Sequence, residues 1–172
     1  MTPEPTLVLV QGLPRSGKST WIQKAIAIQQ ATTIDTEAVV VSPDAIRRAL
    51  HGHRFIPEAE EHVWATAYTM ARALFFSGHR LVYVDATNTT HRRREPWMQM
   101  ARKLEVACNL IVFRTDADTC KQRADRQGDY AIIPVIERML NQWEDPKPED
   151  GWEQLQVPEE RERLLEQTGR VE

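Results

Sequence analysis

The chain has 172 residues, of which 41% are hydrophobic and 27% charged, with a formal net charge of −3. That length suits one domain with a proper core, and that composition is foreign to disordered and membrane-embedded chains. The near-neutral balance excludes a uniformly basic nucleic-acid coat but leaves room for a local basic groove, because binding depends on where charges sit rather than on their sum.

The opening "MTPEPTLVLVQG" lacks a basic stretch followed by a long apolar run, so neither a signal peptide nor a membrane span is expected, and a cytoplasmic location with no membrane association is. "TLVLVQ" (6–11) reads as a strand covered on both faces. A helix follows, beginning within the glycine-bounded loop and continuing through "STWIQKAIAIQQ". A β-branched segment within "TTIDTEAVVVS" ends at Ser42, and "PDAIRRAL" is a short helix with Pro43 in its first turn, stopping near Gly52. From Pro57 to Ser77, the apolar positions Val63, Ala67, Met70, Ala71, Leu74 and Phe75 form the core stripe of a helix closed by Gly78.

"RLVYVDATN" (80–88) is a further buried strand, and "TTHRRREPWMQMARKLE" a helix with Trp97, Met100, Ala101 and Leu104 on one face. "ACNLIVFRT" (107–115) supplies another strand. "DADTCKQRADRQ" is helical with Asp116 as its cap, "GDYAII" is a loop, and "PVIERMLNQW" (134–143) is a helix opened by proline. After Trp143, "EDPKPEDG" is an irregular connector, and the tail offers one edge strand and a frayed helix. Cys108 and Cys120 have no metal-ligand spacing and read as reduced, partly buried thiols. The alternation of short strands with longer helices predicts an α/β chain of three layers, a central and mainly parallel sheet flanked by helices. One domain is expected over 1–172, with its core over about 6–143.

"GLPRSGKS" matches G-x-x-x-x-G-K-[ST], with Gly12, Gly17, Lys18 and Ser19 at the defining positions, Leu13, Pro14, Arg15 and Ser16 between them and Thr20 beyond. The spacing lets backbone N–H groups turn inward to phosphate oxygens, with glycine where a Cβ would collide. Lys18 reaches the β- and γ-phosphates, Ser19 offers a hydroxyl to Mg²⁺, and the following helix adds the positive end of its dipole. ATP and Mg²⁺ are therefore the expected cofactors. Asp85 closes an apolar strand, where a carboxylate would orient Mg²⁺ directly or through water; an Asp there is equally at home as a cap or turn residue.

There is no Asn-Lys-x-Asp for a guanine base, which disfavours a GTPase. Transfer of a phosphoryl group to a hydroxyl needs a carboxylate to accept the hydroxyl proton and cations to neutralise the transferring charge. "VSPDAIRRAL" offers Asp44 and, on the same helix face, Arg47; one could hold a hydroxyl while the other holds an adjacent phosphate, and an ordinary i,i+3 salt bridge is the plain alternative. Arg123 and Arg126, also i,i+3, stand before a glycine-containing loop, as lid arginines would or as a charged helix face would. "HRRR" (91–94) either lines a route for a nucleic-acid strand or is a solvated face.

These motifs, in order, resemble the 5′-hydroxyl polynucleotide kinase domain of phage and bacterial end-healing enzymes, within the zeta-toxin-like P-loop kinases. "GLPRSGKSTW" resembles the family cradle, with Arg15 where glycine is common. "SPDAIR" resembles its Asp-x-x-Arg element, which implies Asp44 as general base and Arg47 as ligand of the acceptor's 3′-phosphate. "VDATNTTHRRR" is similar to the family's Asp-Thr-Asn segment, with Ala86 inserted, and implies acceptor contacts for Asp85, Thr87 and Asn88. "CKQRADRQGDYAIIPVIERM" resembles the arginine-bearing lid, implying phosphate contacts for Arg123 and Arg126. The resemblance implies an ATP-dependent kinase of a DNA or RNA 5′ end; the sequence itself points to no obligate protein partner. A kinase of a small metabolite, nucleoside or nucleotide sugar is the alternative, and a non-catalytic nucleotide switch a third.

Overall fold

The computed structural model describes residues 4–32 and 38–156. Five strands form one sheet: β1 (Thr6–Gln11), β2 (Ala38–Val41), β3 (Leu81–Val84), β4 (Ala107–Val112) and β5 (Gln154–Gln156). All pairings are parallel and the order across the sheet is β2-β3-β1-β4-β5. Among the described residues six α-helices connect and cover it: α1 (Lys18–Thr32), α2 (Pro43–His51), α3 (Glu60–Phe76), α4 (His91–Leu104), α5 (Ala117–Arg126) and α6 (Ile133–Asn141). Short 3-10 turns stand at Pro57–Ala59, Tyr130–Ile132 and Pro148–Asp150.

The apolar run of β1 has its physical reason in this order. β1 is central, with β3 on one side and β4 on the other, and the sheet is covered on both faces, so successive side chains must all be apolar. Leu7 and Leu9 point into a core with Val82, Val84, Leu110, Val112 and the helices α3 and α4; Val8 and Val10 point to the other face, with Ile22 of α1, Tyr83, Ile111 and Phe113. A third, smaller cluster of Leu13, Cys120, Ala124 and Ile136 seats α5 and α6 beside the loop that follows β1.

Helix ends follow local chemistry. Ser42 caps α2 by accepting the Ala45 N–H at 3.3 Å, Pro43 occupies the first turn, and Gly52 ends the helix in the left-handed region at φ 75°. Asp116 caps α5 by accepting the Thr119 N–H at 2.8 Å. Three expectations are corrected. The strand read over 80–88 is only Leu81–Val84, because from Asp85 onward the backbone serves its neighbours: the Asp85 N–H donates to Val41 and the Thr87 carbonyl accepts from Gly12. The strand read over 107–115 likewise ends at Val112. Met70 is exposed, lying at the margin of the α3 stripe and off the Ala67–Ala71 line that meets the sheet.

Residues 144–156 remain tied to the domain. The Glu144 carbonyl accepts from Gln11 Nε2 at 3.0 Å and from Arg94 at 3.1 Å, and β5 extends the sheet edge next to β4. The helix expected in the tail lies outside the described residues. Both cysteines are free and buried, and burial pushes the Cys108 thiol up to about 12. Among the described residues no helix is long and apolar enough to cross a membrane.

Trp97 is 0% exposed and packs against the Tyr68 ring, centroids 4.4 Å apart, joining α4 to α3. Trp97→Ala should therefore lower unfolding free energy by about 3–5 kcal/mol, read as a fall in the urea midpoint at unchanged m-value.

Candidate active site

The loop between β1 and α1 is built around Lys18, the first residue of α1. Its side chain is 7% exposed, and Nζ donates to the Leu13 carbonyl at 2.7 Å and toward Ser16 Oγ at 3.3 Å. Burial is the main influence on its ammonium and pulls the pKa down to about 8, against the opposing fields of Asp85, Cys120 and Asp44. Gly12 is required by space: a Cβ there would stand 2.6 Å from Ser16 Oγ and 2.9 Å from the Phe113 Cβ. Gly17 is required by conformation, at φ 100°. Thr115 Oγ1 ties the loop to β4 by donating to the Ser16 carbonyl at 3.0 Å. Ser19 and Thr20 are exposed at the start of α1, and Pro14 is half-buried.

Arg15 also has positive φ, 67°, which explains why glycine suits that position better. Its guanidinium reaches across to the α5–α6 segment, pairing with Asp129 and donating to Gln127 Oε1. Asp129 in turn accepts from Arg54, at 2.7 and 3.2 Å, so one carboxylate joins the cradle, the α5–α6 segment and the loop after α2. The two guanidiniums hold the Asp129 carboxyl below the usual carboxylate range.

Arg123 and Arg126 separate. Arg123 donates to the Arg15 carbonyl at 3.0 Å, and its terminal nitrogen is 3.8 Å from where a Gly17 Cβ would sit. Arg126, at the end of α5, is exposed and pairs with no carboxylate among the described residues.

At the start of α2, Asp44 is 75% exposed and meets Arg47 at 2.6 Å. Arg47 is also gripped by Glu60, its Nε and second terminal nitrogen standing 2.6 and 2.7 Å from the two carboxylate oxygens. That fork holds the Glu60 carboxyl below its ordinary range and the Arg47 guanidinium above it. Glu60 carries no local sequence signal, because it is 13 positions from Arg47 and opens a different helix.

The β3–α4 loop brings Asp85 close enough to Lys18 to raise its pKa. Thr87 is half-buried, with its carbonyl engaged by Gly12. Asn88 is 1% exposed, at φ 45°, and its amide donates to the Val10 carbonyl at 2.9 Å, so its side chain braces the loop against β1 rather than facing solvent. A nucleoside triphosphate and Mg²⁺ suit these residues: the cradle leaves no space for a Cβ at Gly12, its lysine is already enclosed, and Ser19 and Asp85 are hard oxygen donors.

A glycine cradle between the central strand and its helix, in a parallel sheet of order β2-β3-β1-β4-β5, defines the fold of the P-loop kinases. The chain belongs to the AAA_33 family, described as an AAA domain, which it matches over residues 7–146. Among solved structures it is similar to the APS kinase CysC of Mycobacterium tuberculosis in complex with AMPPNP and APS, with 20% identity and a TM-score of 0.69 over 95% of this chain and 97% of that one. It is similar to a chain of the Pnkp1/Rnl/Hen1 complex, with 22% identity and a TM-score of 0.60, covering 72% of this chain and 40% of that one. A gluconokinase from Sinorhizobium meliloti 1021 shares 18% identity at a TM-score of 0.59, over 89% and 81%. At these identities the likeness is one of fold.

Lys18 gives a pH test. In the free protein it is protonated below about 8 and neutral above. Phosphate oxygens favour the ammonium, so nucleotide binding above pH 8 should take up a proton and weaken as pH rises. Calorimetry of ATP binding from pH 7 to 9.5 in buffers of different ionisation enthalpy measures this. Affinity flat across that range, with no proton uptake, would show that Lys18 does not change protonation there on binding nucleotide.

Proposed function

We propose that this protein is an ATP-dependent kinase that transfers the γ-phosphate to the 5′-hydroxyl of a DNA or RNA strand. The observation that carries the reading is the exposed Asp44 carboxylate held against an arginine that Glu60 grips from behind. A carboxylate beside a fixed guanidinium fits a hydroxyl next to a phosphate, which is the chemistry of a polynucleotide 5′ end. The likeness to a chain of the Pnkp1 complex supports it, and the likenesses to APS kinase and gluconokinase define the acceptors to be tested against it.

In this mechanism the cradle N–H groups and Lys18 hold the β- and γ-phosphates, and Arg123 and Arg126 close over them. Ser19 and Asp85 would hold Mg²⁺, which when bound supplies positive charge against the phosphate oxygens. Arg47 receives the acceptor's 3′-phosphate on the nitrogen that now meets Asp44. That exchange frees the Asp44 carboxylate to accept the 5′-hydroxyl proton. The hydroxyl oxygen bonds to the γ-phosphorus as the bond to the β-phosphate oxygen breaks, and ADP leaves.

Transfer from γ-labelled ATP to a 5′-hydroxyl oligonucleotide, beside gluconate, adenosine 5′-phosphosulfate and nucleosides, tests the acceptor. Label on the oligonucleotide is expected; label on a metabolite alone overturns the reading, and tight ATP binding with no acceptor would identify a switch. Asp44→Asn should lower kcat by 10²–10⁴-fold, the usual range for a lost general base, with ATP affinity nearly intact. Turnover within a few-fold of wild type would remove Asp44 from that role.

A further inference from the structure

The basic run 91–94 does not act as one surface. Arg94 is 0% exposed; it donates to the Asn88 and Glu144 carbonyls, both at 3.1 Å, and burial lowers its pKa. It is a brace between the β3–α4 loop and the chain after α6. Arg93, one position earlier and so about 100° around the helix, points elsewhere. Its guanidinium lies over the Trp64 ring, 4.7 Å from the centroid. The Trp64 indole N–H donates to Glu60 at 3.2 Å, and Glu60 is the carboxylate that grips Arg47. The charge of Arg93 is felt at Glu60, contributing to its lowered pKa. Arg47 and Arg93 are therefore both linked to one carboxylate, Arg47 by direct contact and Arg93 through the Trp64 ring and its own field.

Their direct partners differ. Arg47 is matched by Glu60 and Asp44. Arg93 is exposed and pairs with no carboxylate among the described residues. An exposed guanidinium seated on an aromatic face, with no carboxylate in direct contact, keeps N–H donors for an anion arriving from solvent, as a phosphate would.

Resting on the acceptor reading above, we propose that Arg93, seated on Trp64, binds the second phosphate of the acceptor strand, the one that follows the phosphate at Arg47. The acceptor is thereby a chain of at least two phosphodiester units, leaving past the N-terminal ends of α3 and α4, where Trp64 and Arg93 stand. A single nucleotide engages Arg47 alone.

The test compares two acceptors with free 5′-hydroxyls: a nucleoside 3′-monophosphate, with one phosphate, and a trinucleotide, with two internal ones. In the wild type the trinucleotide should show the lower KM. In Arg93→Ala the ratio of trinucleotide KM to mononucleotide KM should rise about tenfold, as for loss of one charge-assisted phosphate contact. The slope of log KM for the trinucleotide against log salt should become shallower by about 0.7, one single-strand phosphate contact. Arg93→Lys, which keeps the charge, should recover the salt slope, and circular dichroism checks that the variants fold. A ratio unchanged by Arg93→Ala, or a KM increase equal for both acceptors, overturns the inference while leaving the kinase reading in place. Wild-type transfer to neither acceptor overturns both.

Discussion

Lys18 is a full positive charge placed where water hardly reaches, and the surrounding structure is arranged around keeping it there. Its ammonium has one carbonyl and one hydroxyl for partners, and burial lowers its pKa to about 8. The loop that encloses it is stretched between the most central strand and the start of α1, so it inherits the rigidity of β1, which pairs on both sides. Gly12 has no room for a side chain because Ser16 and Phe113 close on it, and Phe113 itself follows β4. The cradle is thus a consequence of sheet packing, not a free-standing loop. Asp85 and Asp44, which oppose the loss of the lysine's proton, come from the ends of β3 and the start of α2, on the same edge of the sheet.

Arg15 shows what the chain gains from departing from glycine. A non-glycine residue at φ 67° costs about 1–2 kcal/mol of backbone free energy. In return the side chain reaches Asp129 across the α5–α6 segment, and Asp129 also holds Arg54 beyond α2. The Arg123 contact to the Arg15 carbonyl adds a second tie. Three segments distant in sequence are held together by groups whose charges must be met somewhere, and the cradle backbone is one of the fixed points.

Local patterns made much of this legible in the sequence, and partnerships between distant segments did not. The apolar run of β1, the proline at the start of α2, the Asp116 cap and the cradle spacing each follow from residues within a few positions, and the structure carries them. Asp44 and Arg47 are three apart on one helix, so their meeting follows from helical geometry alone. Glu60, which fixes Arg47, and Asp129, which anchors Arg15, belong to other elements, and no periodicity points to either. Arg94 left a trace: extending the Trp97–Ala101 stripe back by three residues lands on it, and a charged residue on an apolar stripe must find buried partners. Asn88 belongs with it, a polar residue on a loop whose amide is spent on the β1 backbone.

The acceptor side turns on an inequality between two contacts to one arginine. Glu60 holds Arg47 through two nitrogens from a position 15% exposed, whereas Asp44 touches it through one from a position 75% exposed. A bidentate pair shielded from water is stronger than a single contact facing it. An anion competing for this guanidinium would therefore displace Asp44 before Glu60, and the guanidinium would keep its orientation. On the function proposed above, the acceptor phosphate is that anion, and the event that binds it frees the Asp44 carboxylate.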